Sequence, residues 1–263
     1  MNRHSSLLLI IFSISFLVSC NKQEKSDFKL TATTKTFSGK AMNHEYDKEI
    51  DSIISQMTLK EKSGMLHGTS MFTTAGVERL GIPELKMADG PLGVREEISR
   101  SSWAPLGIDT DYATYYPAGA GVSATWNPDL AYLFGNSVGQ ESRARNKDVL
   151  LSPAINIIRT PLGGRTYEYF TEDPFLNKKL TVPFIVGLQE NDVAACVKHY
   201  AANNQETNRD FVDVQIDERA LREIYLPVFK AAVIEANAYS MMGAYNKFRG
   251  EYLCENSHML NDV

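Results

Sequence analysis

The chain has 263 residues, of which 43% are apolar and 22% charged, enough for one large domain or two small ones around a sizeable core. A formal net charge of −5 supplies no basic patch and argues against nucleic acid as a partner. Cys20, Cys196 and Cys254 are far apart in sequence and show no zinc or iron–sulfur spacing.

Residues 1–20 carry Arg3, an apolar run from Leu7 to Val18, and the ending Leu17-Val18-Ser19-Cys20. That is the layout of a signal peptide, with an apolar stretch too short for a comfortable membrane span. The Leu-x-Ser-Cys ending resembles a bacterial lipobox, which implies lipidation of Cys20 and a lipid anchor in a bacterial membrane, outside the cytoplasm. An ordinary secretory signal or a short anchor helix is the alternative. Residues 21–43 are Lys-, Ser- and Thr-rich and read as a flexible tether, so folding is expected to begin near His44.

Within 44–263, Tyr46–Met57 places Ile50, Ile53, Ile54 and Met57 on one helical face, and Thr58-Leu-Lys-Glu61 is a capping box for a second short helix. Leu85–Ala88 predicts a strand that ends at Asp89-Gly-Pro. Asn127-Pro128 opens a helix with Leu130, Leu133, Phe134 and Val138 on one side. Val149–Ile157 predicts a strand, Pro174–Leu188 a helix, and Val193–His199 a buried apolar strand in which Cys196 is a small core residue. Asp217–Ala236 predicts a helix with Asp217 as N-cap and a kink at Pro227. Tyr239–Ala244 is a last strand delivering Tyr245 and Asn246. For Cys254 the sequence leaves burial and exposure equally open.

Alternating strands and helices, with strands apolar on both sides, predict a parallel sheet covered by helices. No Gly-rich dinucleotide fingerprint opens the first unit, which argues against a doubly wound sheet. Polar residues instead follow successive strands: Asp89, Arg165, Lys198 with His199, and Tyr245. In a (β/α)8 barrel such positions share the ligand-bearing rim. The fold class read from the chain is therefore α/β, an incomplete TIM-like (β/α)8 barrel.

One carboxylate, several cations and a Tyr on one rim suit a hydroxyl-rich ligand. Asp89 can accept from two vicinal hydroxyls, Arg165 and Lys198 can donate, and Trp103, Trp126, Tyr167 or Phe170 can supply a flat wall for a sugar ring. Each feature also has a plain reading. Asp89-Gly-Pro is a good turn, Arg165–Asp173 a good salt-bridged loop, and Lys198-His199 a strand end at a solvated rim.

Five segments together carry a closer resemblance. Ala88-Asp-Gly-Pro-Leu-Gly-Val-Arg95, Leu151-Ser-Pro-Ala-Ile-Asn-Ile through Arg159-Thr-Pro-Leu-Gly-Gly-Arg165-Thr-Tyr-Glu168, Glu172-Asp-Pro174, Val197-Lys-His-Tyr200 and Met242-Gly-Ala-Tyr-Asn246 resemble the N-terminal domain of glycoside hydrolase family 3. The resemblance implies a retaining β-glycosidase that removes terminal non-reducing β-D-glucosyl residues from β-glucosides or oligosaccharides without metal or cofactor. It implies that Asp89, Arg165, Lys198 and His199 hold the terminal sugar and that Tyr245 supports the nucleophile. Relatives cleaving β-N-acetylglucosaminides have Pro-Gly-x-Gly after Lys-His; Ala201-Ala-Asn-Asn204 resembles instead the β-glucosidase and β-xylosidase branch. Asp89 favours glucose over xylose within it.

In this family the nucleophilic Asp ends a later barrel strand and the acid/base Glu lies in a following domain. By that resemblance no catalytic carboxylate lies in this chain: the nucleophile is expected beyond Val263, and residues 44–263 form the N-terminal part of the barrel, inactive alone. The competing expectation is a non-catalytic, surface-anchored sugar-binding module.

Overall fold

The structure is a computed structural model, in which residues 36–40 and 44–263 are described. The expected signal peptide, Cys20 and most of the expected tether lie outside the described residues. Residues 36–40 belong to the folded part. Gly39 N–H donates to the Glu235 carbonyl at 2.7 Å, Asn237 Nδ2 donates to the Lys40 carbonyl at 2.6 Å, and Phe37 packs on the core. Folding thus reaches back before His44, because Phe37 gives this polar stretch an apolar anchor.

The first helix, α1 (Asp47–Gln56), buries none of its residues: Ile50 and Ile54 stay exposed. The periodicity is helical, but its apolar face is only partly covered: Ile53 and Met57 are half-buried. Helix α2 (Leu59–Gly64) starts at the expected capping box, with Glu61 N–H donating to Thr58 Oγ1 at 3.3 Å and Thr58 N–H to Glu61 Oε2 at 2.8 Å. Strands β1 (Gly68–Ser70) and β2 (Thr73–Thr74) form a small antiparallel hairpin beside β3 (Met87–Asp89).

Helices α3 (Gly119–Ser123) and α4 (Pro128–Ala144) follow, the latter capped by Asn127 Oδ1, which accepts from Asp129 N–H at 2.9 Å. The buried side of α4 is Ala131, Phe134, Gly135, Val138, Gly139 and Ser142. Leu133 is exposed, so the stripe is rotated from the expected one. The rotation has a steric reason. A β-carbon at Gly135 would lie 2.0 Å from the Phe184 carbonyl oxygen, and one at Gly187 would lie 2.4 Å from the Tyr132 carbonyl. Two glycines let α4 and α5 (Pro174–Gln189) approach backbone to backbone, and that contact decides which face of α4 turns inward.

Strand β4 (Val149–Leu151) is shorter than the expected Val149–Ile157, since Pro153 has no N–H to continue the ladder. Strand β5 (Ala194–Tyr200) is long and almost wholly buried. After β6 (Asp213–Val214), Asp217 caps α6 (Glu218–Ala220) by accepting from Ala220 N–H at 2.8 Å. A π-helical turn, Leu221–Tyr225, then connects to α7 (Pro227–Ile234). The kink expected at Pro227 is thus taken up by the wider turn just before it, where Leu226 N–H reaches the Leu221 carbonyl. Strand β7 (Ser240–Gly243) is followed by β8 (Lys247–Phe248) and β9 (Glu251–Tyr252); β8 pairs with β6 on one side and β9 on the other in a three-stranded sheet. A second π-helical turn spans His258–Asp262.

The main sheet is parallel and four-stranded, in the order β3-β4-β5-β7, with Asp89 opposite Leu151 and Lys198 opposite Met242. Its strands run with the chain order, and α4, α5 and α7 supply buried residues to one core with it. This is the α/β arrangement expected, without barrel closure among the described residues. An apolar groove lined by Leu226, Phe229, Val233, Met241 and Met259 lies beside β7.

Candidate active site

Because the four strands are parallel, their C-terminal ends share one rim, and each candidate residue sits on it for a local reason. Asp89 is the last residue of β3. Arg165 lies in the loop after β4. Lys198 and His199 close β5, both side chains buried, joined by a cis peptide bond. Tyr245 lies just beyond β7 and is half exposed.

The structure brings Asp89 and Lys198, 109 positions apart, into direct contact: Nζ donates to Asp89 Oδ1 at 2.8 Å. The lysine side chain is only 2% exposed, while that of Asp89 is 28% exposed. A buried ammonium stays charged only when paired, and here the pair leaves Asp89 facing solvent for further hydrogen bonds. Lys198 Nζ also lies 3.9 Å from Glu168 Oε2. Glu168 Oε1 in turn accepts from Arg165 Nε. Burial works against the Arg165 charge, but the Glu168 hydrogen bond and carboxylate field outweigh it and raise the guanidinium pKa.

The chain of charges continues. Arg165 Nη1 lies 3.7 Å from Glu206 Oε1, and Arg209 Nη1 donates to Glu206 Oε2 at 2.8 Å. The Arg209 guanidinium carbon stands 4.6 Å from the centre of the Tyr245 ring. Asp89, Lys198, Glu168, Arg165, Glu206, Arg209 and Tyr245 thus form one continuous run of contacts. Glu168 ends one of the five motif segments, whereas Glu206 and Arg209 lie outside them. The Glu206/Arg209 spacing of three, inside the polar stretch after Lys-His, was the available signal.

His199 joins through Asn156. The Asn156 amide donates from Nδ2 to the His199 carbonyl at 2.9 Å, and its Oδ1 accepts the His199 backbone N–H at 2.8 Å. Those two bonds fix the amide's orientation, so the ring Nδ1, 3.2 Å from the same Oδ1, carries the proton. The ring's Nε2 is then its acceptor. Burial, followed by the charges of Arg165, Lys198 and Arg209, holds the His199 pKa down to about 2, so the ring is neutral at ordinary pH.

Asp89, Arg165, Tyr167 and Glu168 line an open cavity of about 600 Å³ together with Tyr112 and Tyr115; Lys198, His199 and Tyr245 are not among its lining residues. Of the aromatic candidates, Tyr167 is therefore at the cavity. Trp103 packs against Phe72 and lies under Arg95, Trp126 is largely exposed, and Phe170 is a core residue, which removes it as a ring platform. Among the described residues no group of three or more His, Cys, Asp or Glu side chains is placed to hold a metal ion.

Chemically, Asp89 offers acceptor oxygens and Arg165 donor N–H groups at the cavity, while Lys198 and His199 are buried, Lys198 bonding Asp89 from within. The family model described as the glycosyl hydrolase family 3 N-terminal domain matches residues 50–263. The chain is similar to beta-glucosidase BoGH3A of Bacteroides ovatus, 50% identical over 81% of this chain and 29% of that protein. It is also similar to thermostable beta-glucosidase B of Acetivibrio thermocellus, 45% identical over 82% of this chain and 28% of that one. Among solved structures, beta-glucosidase 3B from Thermotoga neapolitana in complex with glucose superposes with a TM-score of 0.75 at 39% identity, covering 82% of this chain and 32% of that one. The chain therefore spans about three tenths of the length of the curated relatives it matches. With the parallel α/β sheet and the five motif segments on its rim, these matches place the chain in glycosyl hydrolase family 3, as its N-terminal domain.

Proposed function

We propose that this domain holds the terminal sugar of a retaining β-glucosidase, acting on non-reducing β-D-glucosyl residues of glucosides or oligosaccharides. The observation that carries the reading is the 2.8 Å Lys198–Asp89 contact at the strand ends, which leaves one carboxylate face open to vicinal hydroxyls. Arg165 and Lys198 donate to neighbouring hydroxyls, His199 Nε2 accepts from another, and Tyr245 supports the nucleophile. Retention needs two carboxyl groups about 5–5.5 Å apart, one attacking the anomeric carbon and one protonating the leaving oxygen. In this proposal both come from sequence corresponding to the other seven tenths of the relatives, and the 263-residue chain alone is inactive.

The test is hydrolysis of 4-nitrophenyl β-D-glucoside by the full gene product and by residues 36–263 alone. The reading expects turnover only when the later strands and following domain are present. Turnover by residues 36–263 alone would overturn the assignment of the nucleophile. We propose further, from the Leu17-Val18-Ser19-Cys20 ending, that Cys20 carries a lipid anchor holding the domain outside the cytoplasm. Metabolic labelling with an alkynyl fatty acid tests this: the label should be lost in Cys20→Ser, and an unlabelled parent protein would refute it.

A further inference from the structure

We propose that Glu168 is a positioning residue, whose buried carboxylate keeps the Arg165 guanidinium and the Lys198 ammonium in place for the terminal sugar. This rests on the glycosidase reading above and adds to it a residue that acts through Arg165 and Lys198.

Three observations carry the assignment. The Glu168 side chain is only 1% exposed, yet its Oε2 has no hydrogen-bond partner. Such an orphan is costly, and native structures keep few of them. That oxygen stands 3.9 Å from Lys198 Nζ, about an ångström beyond an ordinary charge-assisted hydrogen bond. The other oxygen, Oε1, already takes the Arg165 Nε–H. One carboxylate thus addresses both cations of the site, from the side of the protein interior.

The geometry gives this a purpose. Lys198 has three N–H groups, and in the free site its one short bond goes to Asp89. A bound sugar competes for the same Asp89 oxygens. A lysine held by Asp89 alone would lose its anchor at that moment, whereas closing the gap to Glu168 Oε2 supplies a second one and satisfies the orphan. For Arg165, the bond at Nε restrains the guanidinium and leaves Nη1 without a short partner. Glu206, at 3.7 Å, takes only a loose share of it.

The experiment uses the full gene product, with kcat and KM for 4-nitrophenyl β-D-glucoside and the inhibition constant for glucose. Glu168→Gln keeps shape and one acceptor but removes the charge. We expect KM and the glucose constant to rise about 10- to 100-fold, the scale of one charge-assisted hydrogen bond, with a smaller change in kcat. Coupling separates positioning from loop support: in a Lys198→Met background the part of the Glu168→Gln effect that passes through Lys198 should be lost, leaving only the part that passes through Arg165. If Glu168→Gln fails to fold, Glu168→Asp, which keeps the charge one methylene short, should show the same KM rise with a native melting temperature. Wild-type kinetics in either variant, or full additivity with Lys198→Met, would overturn the proposal. A parent enzyme that neither hydrolyses the glucoside nor binds glucose would instead overturn the glycosidase reading on which it rests.

Discussion

Replacing Lys198 with Met removes a buried ammonium while keeping most of its volume. The lysine is 2% exposed and faces two carboxylates, Asp89 at 2.8 Å and Glu168 at 3.9 Å. Deleting one member of a buried ion pair costs about 3–5 kcal/mol, because the remaining charge stays desolvated. Asp89 is partly open to water and recovers some of that, while buried Glu168 keeps Arg165 but loses its second counter-charge. The structure therefore argues for the lower end, about 3 kcal/mol. For a domain of this size that is a fall of about 6–12 °C in melting temperature. Asp89→Asn should restore part of the loss in the Lys198→Met background, giving a coupling of at least about 1 kcal/mol. Urea denaturation of wild type, both single variants and the double variant, followed by circular dichroism at pH 7, measures all of it. A Lys198→Met cost under about 0.5 kcal/mol, no more than an ordinary surface change, or an additive double variant would refute the reasoning.

His199, whose pKa is held down to about 2 by burial and then by three neighbouring cations, binds a proton in the unfolded chain near pH 6.5 but not in the folded one. Stability should therefore fall as pH drops from about 6.5 toward 4, by up to about 1.4 kcal/mol per pH unit from this residue. His199→Gln should flatten that slope in pH-dependent melting; parallel curves would contradict the burial of a neutral imidazole. Gly135→Ala puts a methyl 2.0 Å from the Phe184 carbonyl oxygen and should cost about 1–3 kcal/mol in urea denaturation. An unchanged midpoint would mean that α4 and α5 do not meet so closely. Asp217→Ala removes the acceptor of Ala220 N–H and should cost about 0.5–2 kcal/mol in the same assay, and a neutral result would remove the cap from the account.

Much of this architecture is legible in the residues because local chemistry and tertiary position agree. Asn127, Asp173 and Asp217 cap helices where short polar side chains precede apolar runs, and the Thr58–Glu61 box closes as its spacing demands. Asp89, Lys198 and His199 stand out because charge at the end of an apolar strand is hard to place anywhere but a rim. What is not legible is what depends on partners distant in sequence. The inward face of α4 is chosen by the Gly135–Phe184 contact, not by the leucine count, so Leu133 ends up outside. Strands of two residues, such as β2, β6 and β8, carry no periodicity to read. The roles of Glu168, Glu206 and Arg209 emerge only when the loops after β4 and β5 are folded onto one another. Phe37 marks the converse case, an apolar residue in a polar stretch that docks because a core surface is waiting for it.

The central claim is that Asp89, Arg165, Lys198 and His199 surround one monosaccharide. A crystal structure of the full gene product with glucose tests it most directly. The account predicts sugar hydroxyl oxygens within about 3.2 Å of Asp89 and Lys198, with His199 Nε2 accepting from a further hydroxyl. Glucose bound elsewhere, with the Lys198–Asp89 pair sealed and untouched, would contradict it.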